Sequence, residues 1–266
     1  MAITTLDGLI AATKQRIRWT KTTTRTTVAN GWFSLHDVAG QPGAGTLAGS
    51  STANGVVPTD ADAGYPAITA FGGGASGYLA RLAFANTVAC RIAVFDRLFL
   101  AGAYAFNASQ ALTSQPSYAS RLPGTDYSNG VEIWCEQVTA ATGNQAVAVT
   151  YTNQAGTGSR TTGAVGIGAA QTVGRCWQLP LQSGDSGVQK IDNVVGSVAT
   201  VGTFNVMILR RLAEGRIGVA NGFERQGAFD LGALVQLFDT SALYVMIAAD
   251  STSSGSPDVD LILANG

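Results

Sequence analysis

The sequence predicts an all-β fold: an antiparallel two-sheet sandwich of jelly-roll or Greek-key type, preceded by an N-terminal helix and an extended glycine-rich arm. Three observations predict it. From Gly77 onward, short apolar runs with period-two alternation recur with turn residues between them. The 33 glycines punctuate those runs, where tight turns favour them. Helical spacing of apolar side chains is convincing only near the N-terminus.

In residues 5–18, Thr5 is placed to cap a helix, and Leu6, Leu9, Ile10, Thr13 and Ile17 follow its three-and-four spacing. Lys14, Arg16 and Arg18 fall in the last turns, where cations complement the carbonyl end of the helix dipole. Residues 20–27 are threonine-rich and favour extended backbone, because β-branched side chains lose rotamer freedom in a helix. Residues 37–77 are dense in Gly, Pro, Asn and Asp, with turns at Asn54-Gly55, Val57-Pro58 and Gly72-Gly73-Gly74. So long a stretch without period is unusual inside a compact domain. The chain therefore divides into a helix plus an arm laid along neighbouring molecules, residues 1–76, and a sandwich body, residues 77–266.

In the body, strands are expected over residues 78–84, 88–95, 98–106, 131–138, 145–152, 176–181, 188–201, 203–212, 243–249 and 259–264. Residues 131–138 and 145–152 are expected to form a hairpin across residues 139–144. On the first of these, Val131, Ile133 and Cys135 share a buried face, while Glu132, Trp134 and Glu136 share one that is at least partly wet. A short helical turn is expected near residues 231–237.

Composition narrows the function. Hydrophobic residues make up 46% of the chain and charged residues only 12%, about half of the ~25% usual in soluble domains. That shortfall points to a surface partly covered by other subunits. A net charge of -1 excludes a strongly basic field, and with it free nucleic acid as a partner. No apolar run approaches the ~18 residues of a membrane span, and the N-terminus has no basic region followed by a long apolar run, so neither membrane nor secretory signal is expected. Cys90, Cys135 and Cys176 are too few and too widely spaced for a disulfide framework or a zinc knuckle, and are expected as small buried hydrophobes in a reducing compartment.

Each segment that resembles a site of chemistry also fits a simpler role. Gly184-Asp185-Ser186-Gly187 resembles the nucleophile segment of trypsin-like proteases, with His36 as the base, but His36 lacks that family's Ala-Ala-His-Cys context, and a turn before a strand accounts for the same residues. Asp60 with Asp62, and Asp258 with Asp260, offer oxygens to calcium without an EF-hand spacing. Glu132 and Glu136 stand ~13 Å apart along an extended strand at ~3.3 Å per residue, too far for glycoside hydrolysis. The glycine-rich segments 72–77 and 166–170 lack the strand and helix of a phosphate loop. The expectation is no catalytic, cofactor-binding or metal residue, no cofactor, and no enzyme. Arg81, Arg91, Arg97, Arg121, Arg160, Arg175, Arg210, Arg211, Arg216 and Arg225 instead suit subunit interfaces, where a planar guanidinium pairs with carboxylates.

The N-terminal helix, the arm through Asn54-Gly-Val-Val-Pro58, strands such as Cys90-Arg-Ile-Ala-Val-Phe-Asp96 and the closing Leu261-Ile-Leu-Ala-Asn-Gly266 together resemble head and tail structural proteins of tailed bacteriophages, over most of the chain. Among these, the chain is similar to jelly-roll capsid decoration (cement) proteins. That resemblance implies a non-catalytic virion protein, made in the host cytoplasm and sitting on the capsid exterior. Its partners would be the major capsid protein and copies of itself, with a trimer at three-fold positions. Two alternatives stand beside it. One is a tail, baseplate or host-adsorption protein using loops 153–163 and 251–256; the other is a virion-associated glycan hydrolase.

Overall fold

The computed structural model describes residues 3–72, 76–168, 171–197, 201–231 and 233–266. Among these residues the order is α1 (Leu6–Ala11), β1 (Thr13–Lys21), β2 (Trp32–Ser34), β3 (Gly40–Gln41), β4 (Gly77–Asn86), β5 (Cys90–Ala105), β6 (Ser109–Ala111), β7 (Val131–Thr139), β8 (Gln145–Asn153) and β9 (Arg160–Thr161). There follow β10 (Val165–Ile167), β11 (Arg175–Leu179), β12 (Val188–Gly196), β13 (Thr203–Ile217), β14 (Gly222–Gly227), β15 (Val235–Leu237), β16 (Leu243–Ala249) and β17 (Asp258–Asn265). Residues 73–75 and 169–170 of the glycine-rich segments, 198–200 of the strand expected over 188–201, and Gly232 lie outside the described residues.

The expected all-β antiparallel class and its short N-terminal helix are what the chain builds. Its two sheets flank a closed barrel. One sheet runs β14-β4-β17-β1-β3, with β15 also on β4; the other runs β10-β8-β12-β6, with β9 on β8; between them β11-β2-β16-β5-β13-β7 close on themselves. Alternation along the barrel strands divides the apolar residues among three cores. On β16, Val245 and Ile247 point outward to meet Ile17, Trp19, Leu82 and Phe84 of the first sheet. Tyr244 and Met246 point inward, with Phe95, Trp134 and Met207. On the far side, Ile133, Phe204 and Val206 of the barrel meet Val149, Tyr151 and Ile191 of the second sheet. The long strands β5 and β13, of 16 and 15 residues, contribute to all three cores and slip register three times along their pairing. Such slips bend a strand and let it pass beneath both sheets.

Several expectations are corrected. The helix ends at Ala11, not Arg18. Thr5 Oγ1 does accept from Gly8 N at 3.0 Å, as a cap should, but Ala12 is extended at ψ 142°. From Thr13 the chain pairs with β17 through Thr20. Ile17, Trp19 and Lys21 turn inward while Arg16 and Arg18 stay out. Local spacing allowed either period, and eight residues of long-range pairing chose the strand. Residues 131–139 and 145–153 are no hairpin either. β7 pairs β11 and β13, β8 pairs β9, β10 and β12, and the two strands face each other across the second core. The turn expected near residues 231–237 contains β15, paired to β4.

Residues 37–72, part of the stretch expected to lie along neighbours, are tied to their own barrel. Val56 and Leu100 exchange backbone hydrogen bonds of 2.8 and 2.9 Å. The Asn205 amide receives Gly49 N at 2.9 Å and donates to Leu47 O at 2.7 Å. Buried backbone must find partners, and in this stretch barrel strands supply them in place of a repeating ladder.

Candidate functional site

Two features stand out once the fold is built: a buried polar network inside the barrel, and an outer surface with grouped arginines and bare aromatic side chains.

The network begins with Arg97 and Glu136, both fully buried. Arg97 donates to Tyr65 Oη at 3.0 Å and to Glu136 Oε2 at 2.8 Å, and its guanidinium lies 4.0 Å from the Tyr244 ring centroid. Tyr244 Oη donates to Glu136 Oε1 at 2.6 Å, and Asn205 Nδ2 donates to Oε2 at 3.1 Å. Burial alone would pull the Arg97 guanidinium down; Tyr65, Tyr244 and Glu136 outweigh it and raise its pKa. Nearby, Asp96 accepts from Arg121, from Ser241 Oγ at 2.8 Å and from Ala242 N at 3.0 Å, with Arg210 3.9 Å away. Arg121 also donates to Pro58 O, so the loop before Tyr65 is fastened to the barrel. Glu136 and Trp134, expected on a partly wet face, thus point into the barrel. Three of the arginines expected at interfaces, Arg97, Arg121 and Arg210, are interior residues.

The other sequence-selected residues are placed as follows. Asp185 accepts from Tyr151 Oη and Asn153 Nδ2 at 2.7 Å and from Arg160 Nε at 2.8 Å, and these bonds, the arginine's first, pull its carboxyl down to about 2. Ser186 lies beside it, its amide bonded to Gln154. His36 packs instead on Tyr65 and Tyr244, so the structure does not bring it to Ser186. Asp60 accepts from Ile68 N and Asp62 from Thr59 N, each closing its own loop. Asp258 and Asp260 pair with Arg18, and with Arg16 and Arg81. Glu132 receives Trp134 Nε1 and Arg211. All three cysteines are buried, and burial holds the Cys90, Cys135 and Cys176 thiols above their usual range. Among the described residues no three His, Cys, Asp or Glu gather as metal ligands.

On the outer face of the first sheet, Arg16, Arg18, Arg81 and Arg225 surround Asp258 and Asp260 along a groove of about 300 Å³, with Phe223 67% exposed at its edge. A second groove, about 400 Å³, runs between α1 and the loop after β14. Along it Leu6 and Phe229 are 51 and 82% exposed. Of the first surface, the sequence assigned Arg81 and Arg225 to interfaces but placed Arg16 and Arg18 on a helix, and it gave no expectation of the second groove. The usable signal was present: Arg16 and Arg18 alternate with Ile17 and Trp19, and Phe223 and Phe229 stand in a glycine-rich segment without alternating apolar neighbours.

The fold and these surfaces define the class: an antiparallel all-β protein with a barrel between two sheets. No protein family matches the chain, and no curated protein does. Three solved chains were found, all from infectious bursal disease virus and all 10% identical over 96% of this chain. They are a Gt-strain structure (TM-score 0.20, 81% of that chain covered), a Gx-strain structure (0.17, 80%) and a D431N mutant VP2 protein from derived T=1 particles (0.15, 77%). At these TM-scores the neighbours carry no argument about this chain.

Proposed function

We propose that this protein is a non-catalytic structural component of a virion, and specifically a capsid decoration protein of a tailed bacteriophage. In this reading it binds the major capsid protein and further copies of itself on the capsid exterior. One observation carries the reading: a chain of low charge density leaves large apolar side chains, Phe229 and Leu6 above all, bare along a groove that a partner could fill. Covering a phenylalanine is worth ~1.5–3 kcal/mol, and symmetry repeats each such contact in every copy. The cationic groove on the first sheet adds a surface that suits acidic partners.

The test is mass spectrometry of purified particles, quantifying this chain against the major capsid protein before and after mild denaturant stripping. A ratio near a simple capsomer fraction, with stripped shells that rupture more easily, supports decoration. A low copy number that tracks with tails favours the adsorption reading, and absence from particles refutes both.

A further inference from the structure

A third concavity lies apart from both grooves. The loops around Thr46–Ser50 and Val56–Ala63 leave a cleft of about 430 Å³ over the barrel, with His36, Tyr65, Arg97 and Leu100 at its base. That volume falls within the range of small-molecule sites. Its walls mix the apolar Val56, Val57 and Pro58 with the hydroxyls of Thr46 and Ser50.

His36 is the telling residue. It is 4% exposed and lines this cleft, yet among the described residues neither ring nitrogen has a hydrogen-bond partner. Its ring packs on Tyr65 at 4.6 Å between centroids and on Tyr244 at 6.0 Å. Glycines keep its polar edge clear: a Cβ at Gly45 would lie 2.2 Å from Nε2, and one at Gly64 would lie 2.4 Å from Cε1. The ring nitrogens are not sealed from the cleft, so a ligand there would take the place of water on them.

The surrounding charge selects that ligand. Arg97 and Lys21 are the charges that act on His36, both buried and both cationic. The nearby carboxylates are engaged elsewhere. Glu136 takes Arg97, Tyr244 and Asn205, Asp37 takes Arg25, and Asp62, at the exposed rim, takes the Thr59 amide and hydroxyl. The base of the cleft therefore offers a neutral N–H donor in a positive field, under walls suited to a compact ligand with hydroxyls and an apolar face.

We propose that this cleft is a binding site for a small carboxylate of about hexuronate size, one carboxylate oxygen accepting from the His36 imidazole N–H. The bound charge would offset the two cations and so favour a protonated His36. This inference is independent of the virion reading: either can fail while the other stands.

His36 is the chain's one histidine, so its imidazole gives a single reporter in ¹H–¹⁵N NMR of the full chain. The signals are followed at pH 7 while D-glucuronate is added, with D-glucose as the neutral counterpart and chloride holding ionic strength constant. Glucuronate is expected to move them saturably and glucose less than a tenth as far. Ala48→Leu, which narrows the cleft from its exposed rim, is expected to weaken glucuronate at least tenfold. No saturable movement, an equal response to glucose, or unchanged affinity in Ala48→Leu overturns the proposal.

Discussion

His36 is the residue whose charge the fold suppresses most plainly. Burial first, then Arg97 and Lys21, push its pKa down to about 2, whereas in an unfolded chain it titrates near ~6.5. Between those values the unfolded chain binds the extra proton, so stability falls as pH falls below ~6.5. Wild type should lose about 1.4 kcal/mol per pH unit from this group, and His36→Gln should lack that component. Urea unfolding at pH 7, 6 and 5 measures it, and parallel pH profiles for the two proteins would contradict it. Glu136 makes the complementary case. Glu136→Gln leaves the Arg97 charge underpaired within the barrel, and an expected loss of about 3–5 kcal/mol follows. Adding Arg97→Met removes the stranded charge and should recover part of that loss in the same measurement. A double variant no more stable than Glu136→Gln would count against charge as the cause.

At the scale of elements, β1 is the segment where local signal and long-range pairing diverge. Its tie to β17 and its inward Ile17 and Trp19 predict slow amide exchange along the strand, while α1, six residues with none buried, should exchange fast. Hydrogen exchange with residue resolution distinguishes this from a continuous helix, in which protection would run on from α1 through Arg18. The β7–β8 connection follows the same logic. The alternation in each strand was readable, but not that their apolar faces meet across a core while their edges pair with other strands.

For the molecule as a whole, β5 and β13 couple the three cores, so damage in one should be felt in all. Met207→Ala inside the barrel should cost about 2–5 kcal/mol and lower a single shared transition. Trp19, Trp134 and Trp177 report on the three cores in turn. Single-tryptophan variants of the Met207→Ala protein should therefore unfold at one common midpoint, and separate midpoints would show that the layers unfold independently. The outer surface should behave in the opposite way. Phe229→Ser, or Arg16→Glu with Arg18→Glu, should leave the unfolding midpoint nearly unchanged and reduce retention on purified particles. Full retention by every such variant would exclude these grooves as the assembly surface.

The sequence by itself determined the antiparallel all-β class, the burial of its cysteines and most strand positions, because period-two alternation and glycine-rich turns are local properties of the chain. Strands over residues 243–249 and 259–264 were legible for that reason, and so was the Thr5 cap. Tertiary structure alone decided that residues 13–21 would be a strand, that the glycine-rich stretch would lie on its own barrel, and that Glu136 and Arg97 would face inward. Each of these depends on partners far away in the chain: β17 for β1, Asn205 and Leu100 for the loops, Tyr65 and Tyr244 for the ion pair. A run of residues carries its own periodicity, but the free energy of pairing and burial belongs to contacts that only the closed barrel creates.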